Sequence, residues 1–94
     1  MNKFIEKLYN CQQKHSSLVC VGLDPNMEKI AALNLDLLTW LKKIVDAVAD
    51  HVCAFKPQIA HFSALSAENT LIDIIEYVHK EHPDVPVILD SKLV

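Results

Sequence analysis

Val85-Pro86-Val87-Ile88-Leu89-Asp90-Ser91-Lys92 carries the strongest indication of how this chain folds. Apolar residues run from Val85 to Leu89, and a carboxylate and an ammonium follow with one residue between them. Side chains of a strand alternate faces, so Asp90 and Lys92 are expected to point the same way from the end of a buried strand. In parallel α/β folds the carboxyl ends of the strands carry the chemistry. Unlike charges held that close perturb each other's pKa and keep a proton ready for transfer. The bland alternative is a surface ion pair capping a strand, which is the usual worth of an Asp-x-Lys taken alone. The upstream sequence decides between them.

Going back along the chain, the same pattern recurs twice. Leu18-Val19-Cys20-Val21-Gly22-Leu23 is a continuous apolar run, as expected of a parallel strand covered on both faces, and it ends at the turn signal Asp24-Pro25-Asn26. Val52-Cys53-Ala54-Phe55 is the next such run, and it stops on Lys56-Pro57-Gln58. Helical periodicity separates these runs. Phe4, Ile5, Leu8 and Tyr9 form one apolar stripe in a helix expected from Asn2 to about Lys14. A second helix is expected from Asp36 to about His51, with Leu37, Leu38, Leu41, Ile44, Val45 and Val48 repeating at three and four. Asp36 or Asn34 is its expected cap. A short segment from Ile59 to Leu65 leads into a third helix, capped by Ser66 or Asn69, with a stripe of Leu71, Ile72, Ile75 and Val78 that Ile74 and Tyr77 widen. Pro83 and Pro86 close that helix.

The order is therefore α-β-α-β-α-β. Strands separated by whole helices cannot form hairpins, so they are expected to be parallel, with right-handed crossovers. Each strand ends on an ionisable residue: Asp24, Lys56, then Asp90 with Lys92. A flavodoxin-like sheet would carry a Gly-rich or Ser/Thr-rich loop after its first strand, and Asp-Pro-Asn is neither. The fold class expected is α/β, with residues 1–94 forming a partial domain: the N-terminal part, about three β/α units, of a TIM (β/α)8 barrel. A whole barrel of this kind needs roughly 250 residues.

Composition bounds the function. The chain has 94 residues, a hydrophobic fraction of 51% and a formal net charge of −3, so no basic footprint exists for nucleic acid or an anionic membrane. Its N-terminal residues include Lys3, Glu6 and Lys7 and no long apolar run, so neither a signal peptide nor a membrane span is expected. Cys11, Cys20 and Cys53 have no zinc-type spacing and read as reduced thiols of a cytoplasmic protein. A single glycine leaves no Gly-rich phosphate loop.

Three segments, Leu18-Val-Cys-Val-Gly-Leu-Asp-Pro25, Ala54-Phe-Lys-Pro-Gln-Ile-Ala60 and Val87-Ile-Leu-Asp-Ser-Lys92, resemble orotidine 5′-phosphate decarboxylase in its bacterial-type branch. The resemblance implies decarboxylation of orotidine 5′-monophosphate to uridine 5′-monophosphate, in de novo pyrimidine synthesis, without metal or organic cofactor. It implies that Lys92 gives a proton to C6 of the pyrimidine as carbon dioxide leaves, and that Asp90 sits against the departing carboxylate and holds Lys92. Lys56 would bridge Asp90 and a ribose hydroxyl, and Asp24 would bind a ribose hydroxyl. The chemistry agrees with those roles: a carbanion with no adjacent electron sink needs a fixed ammonium as stabiliser and acid. Neighbouring carboxylates keep a lysine charged, whereas burial alone discharges it.

The family motif runs Asp-x-Lys-Arg-Gly-Asp, and its last Asp reaches the partner's site across a homodimer. Here Leu93 and Val94 stand where Arg-Gly is expected, and phosphate-gripping loops belong to later strands. The expectation is a truncated barrel with impaired activity. A second expectation, of a different class, is an inactive partial barrel that self-associates or needs a complementary fragment, because three strands leave an open edge. A sibling branch acting on sugar phosphates with magnesium is disfavoured by Lys56-Pro57-Gln58.

The remaining features have structural explanations. His15, His51, His61, His79 and His82 invite a metal, but His79 and His82 sit near a charged helix end without a third ligand. Lys42 and Lys43 with Asp46 and Asp50 read as a solvated helix face, and Trp40 and Phe62 as packing residues. Lys56 after an apolar strand needs a partner, for which Asp90 is the candidate.

Overall fold

A computed structural model of the chain describes residues 3–32 and 36–90. Helix α1 is Lys3–His15, strand β1 Cys20–Gly22, and helix α2 Met27–Ala32. Helix α3, Leu37–Val48, runs on through a 3-10 turn, Ala49–His51, into strand β2, Ala54–Lys56. A short helix α4, Ile59–Ala64, and the long helix α5, Glu68–Glu81, follow. The fold is α/β with a two-stranded parallel sheet, in which Cys20 pairs with Ala54, Val21 with Phe55 and Gly22 with Lys56.

The parallel pairing is what strand–helix–strand order demands. The third expected strand is reduced to two bridges, Phe55 with Val87 and Gln58 with Asp90, both in one register. Phe55 donates its N–H to the Pro86 carbonyl and accepts from the Ile88 N–H, at 3.0 and 2.8 Å. Asp90 then donates to the Pro57 carbonyl at 3.0 Å, and Ile59 donates to the Asp90 carbonyl at 2.9 Å. Pro57 occupies the position whose N–H would have joined the two bridges, and proline has none to give.

Buried apolar side chains of α3 (Leu41, Val45), β2 (Phe55), α4 (Phe62), α5 (Leu71, Ile74, Val78) and the third segment (Val85) form one core. Asp36 caps α3 as expected, its carboxylate accepting from the Thr39 N–H at 2.7 Å and the Thr39 hydroxyl at 2.9 Å. Asn34, the other cap considered, lies outside the described residues.

Neither Ser66 nor Asn69 caps α5: Ser66 adopts φ 52°, Ala67 takes the cap position without a side-chain bond, and Asn69 lies within the helix. The core stripe of α5 is Leu71, Ile74 and Val78, spaced three and four, whereas Ile72 is 53% exposed. In α1 the residue buried is Cys11, while Phe4, Ile5 and Tyr9 of the expected stripe are exposed. The run at residues 18–23 is not covered on both faces: Leu18 is 81% and Val19 57% exposed, and only Leu23 is buried. Among the described residues β1 is an edge strand paired with β2 alone, and the apolar side chains of Leu18 and Val19 stay in water.

Among the described residues, three carboxylate–histidine pairs tie segments together. Asp46 on α3 accepts from the Tyr77 hydroxyl at 2.6 Å and meets His82 Nε2 at 2.9 Å, both reached across to α5 and its end. Lys42 lies 4.9 Å from the centre of the Tyr77 ring. Asp46 therefore serves a helix–helix contact as well as lying near Lys42 on its own helix. His15 meets Asp84, and His61 meets Asp24. Cys11, Cys20 and Cys53 are all free thiols.

Candidate active site

Parallel pairing puts every strand's carboxyl end on one side of the sheet, and the sequence puts a charge at each of them. Lys56 is the last residue of β2 and pairs with Gly22, the last residue of β1. The Lys56 carbonyl accepts from the Leu23 N–H at 3.3 Å, which turns the chain so that Asp24 follows at the same end. Gly22 sets the local fit: a Cβ there would lie 3.4 Å from Asp24 Oδ2 and 4.0 Å from the Lys56 carbonyl. The Asp24 carboxylate thus folds back over the end of β1. The Gln58–Asp90 bridge brings Asp90 to the end of β2 from the other side.

Asp24, Lys56 and Asp90 therefore share one end of the sheet, in the order acid, base, acid across three neighbouring segments. Lys92, expected as the proton donor, lies outside the described residues. Lys56 and Asp24 are exposed and Asp90 half-buried. Among the described residues Lys56 forms no ion pair, and the pair at this end joins Asp24 Oδ1 to His61 Nδ1 at 3.1 Å. In sequence His61 is one histidine among five, yet in the fold it belongs to this site. It stands on α4, which starts three residues after Lys56 because Pro57 ends the strand. The available signal is its place in Lys56-Pro57-Gln58-Ile59-Ala60-His61, directly downstream of a strand-end charge.

Carboxylates and an ammonium at a strand end offer hydrogen-bond acceptors and a donor to a polar ligand. The chain is similar to part of several curated orotidine 5′-phosphate decarboxylases. The orotidine 5′-phosphate decarboxylase of Cupriavidus metallidurans is 47% identical over 93 residues, covering 95% of this chain and 34% of the relative. That of Cupriavidus necator is 48% identical over 94 residues, with the same coverage. That of Ralstonia pickettii is 46% identical, covering 96% of this chain and 35% of the relative. The chain resembles part of an orotidine 5′-phosphate decarboxylase. It spans about a third of the length of the curated orotidine 5′-phosphate decarboxylases it matches. No family model matches the chain, and no solved structure does.

Proposed function

We propose that residues 1–94 supply the first β/α units of a TIM-barrel orotidine 5′-phosphate decarboxylase, with its substrate held at the carboxyl strand ends. The observation that carries this reading is the meeting of Asp24, Lys56 and Asp90 at one end of the sheet. The family likeness over 95% of the chain supports it.

In this reading the ribose hydroxyls of orotidine 5′-monophosphate bind Asp24 and Lys56. Asp90 faces the substrate carboxylate, and its charge favours the state in which carbon dioxide has left. The electron pair of the broken C–C bond stays on C6, with no adjacent sink to delocalise it. Lys92, two residues after Asp90 in the alternating strand pattern, supplies the ammonium that stabilises the pair and gives C6 its proton. Uridine 5′-monophosphate results, and no metal or cofactor takes part. His61 holds Asp24 in its folded-back position, at 3.1 Å.

The reading extends to a nucleotide as the small-molecule partner, a homodimer in the full-length family and a cytoplasmic setting, with neither nucleic acid nor membrane as partner. No helix among the described residues is long and apolar enough to cross a membrane. A second reading, a non-catalytic fragment that self-associates or takes up a complementary chain, is favoured by the exposed edge at Leu18 and Val19.

The test is decarboxylation of orotidine 5′-monophosphate by the purified chain, followed by absorbance loss. Turnover abolished by Lys92→Ala supports catalysis by these residues. A rate that survives Lys92→Ala contradicts the assignment, and an inert chain that associates supports the second reading.

A further inference from the structure

At the opposite end of the sheet, three groups with metal-ligand chemistry converge. The Sγ of Cys11, an imidazole nitrogen of His15 and a carboxylate oxygen of Asp84 all lie within 4.8 Å of one another. Cys11 and His15 are four residues apart on α1, so one helix face presents both. Asp84 comes from the turn that follows α5, and it meets His15 Nε2 at 2.7 Å.

We propose that Cys11, His15 and Asp84 form a site for a divalent cation of the zinc type. Thiolate, imidazole and carboxylate are the three donor types that zinc takes, and three protein ligands leave one position open. Cys11 and Asp84 also line a cavity of about 440 Å³, together with Glu6, Asn10 and Lys14 among others.

The surroundings of His15 are those of a metal ligand. Its side chain is 7% exposed. Nδ1 lies 2.9 Å from the Asp50 carbonyl, an acceptor, so Nδ1 carries the hydrogen. A ligating histidine commonly donates its other ring N–H to a backbone carbonyl in this way, which fixes the tautomer and aims the second nitrogen. Nε2 is aimed at Asp84 Oδ2, again an acceptor. A cation bound to both atoms would take the place of the hydrogen bond between them. A tetrahedral cation with bonds of about 2.1 Å would open that pair to roughly 3.4 Å, a small movement for a carboxylate in a turn.

One group competes. Lys14 Nζ lies 3.2 Å from the same Asp84 oxygen, but its side chain is 64% exposed and free to swing into water. This competition supplies a diagnostic test, because removing the ammonium should tighten the cation and would do nothing for a purely structural ion pair.

The site also has a structural consequence. Cys11 Sγ lies 3.6 Å from the Val52 carbonyl and His15 against Asp50, both in the segment leading into β2, while Asp84 precedes the third segment. A bound cation would fasten α1 to the two stretches of chain that lead into the sheet, and so stabilise the fold by mass action.

The experiment is titration of the metal-free chain with Co²⁺, read by the near-ultraviolet thiolate-to-cobalt band, and with Zn²⁺, read by thermal shift. The expected result is a band with one Co²⁺ per chain, displaced by Zn²⁺. It is lost in Cys11→Ser, and affinity falls at least about tenfold in His15→Ala and Asp84→Asn. It is retained in Cys53→Ser and tightened in Lys14→Met. Absence of the band, a band that survives Cys11→Ser, or affinity unmoved by Lys14→Met in a chain with unchanged circular dichroism overturns the proposal.

Discussion

The backbone N–H of Asp90 donates to the carbonyl of Pro57 at 3.0 Å, and through that bond an acidic residue is seated beside the end of β2. The segment from Val85 to Asp90 is thus hydrogen-bonded to β2 and Pro57 at Pro86, Ile88 and Asp90 although it is no regular strand. Amide hydrogen exchange should show the alternation. The N–H groups of Ile88 and Asp90 are expected to exchange more slowly than that of Leu89, whose side chain is exposed. Uniformly fast exchange across residues 87–90 would remove the seat of Asp90.

Asp46 is the polar link between α3 and the end of α5. Burial pushes its carboxyl up, but hydrogen bonds from His82 and Tyr77 outweigh that and hold it below the usual carboxylate range. Asp46→Ala removes both bonds at an exposed position, and the loss expected is about 1 kcal/mol. For a domain of this size that is roughly 4–8 °C in Tm by thermal denaturation. An unchanged Tm would show that the contact is ornamental.

Tyr77 reports the same link from the other side. Its hydroxyl donates to Asp46, and that bond, with burial and the Asp46 charge, raises its pKa to about 12. An unfolded tyrosine ionises near pH 10. The folded value is the higher one, so the stabilising contribution is fully present below about pH 10 and is lost as pH rises through about 12. Tyrosinate absorbance, with Tyr77→Phe identifying the step, should place this ionisation at about 12. A step at about pH 10, the unfolded value, would mean that the Asp46 bond is not formed in solution.

The exposed edge predicts association. Leu18 and Val19 present exposed apolar side chains just before β1, which among the described residues pairs with β2 alone. Light scattering should give a mass above the 10.6 kDa of one chain, and Leu18→Lys should shift the population towards the monomer. A compact monomer at all concentrations would count against the second functional reading.

The positions of Asp24, Lys56 and Asp90 are legible in the sequence because each is a charge closing an apolar run, and strand order alone fixes which end they share. Asp36 as a cap is legible for the same local reason. What escapes the sequence depends on distant residues. His61 pairs with Asp24 from a separate helix and His15 with Asp84 across 69 positions, and no local period encodes either. The exposure of Ile72 is hidden because an apolar stripe on α5 can be drawn at two phases, and only packing against α3 and α4 selects Leu71, Ile74 and Val78. The third strand looks regular in sequence because the missing N–H belongs to Pro57, on the neighbouring segment.

The decisive experiment is a chimera in which this chain replaces the aligned third of the Cupriavidus metallidurans decarboxylase, with turnover of orotidine 5′-monophosphate followed by absorbance. If Asp90 and Lys92 carry the chemistry, the chimera is active, loses at least about 100-fold in kcat with Lys92→Ala and is similarly impaired by Asp90→Asn. A folded chimera without activity, or one indifferent to both substitutions, would contradict that assignment.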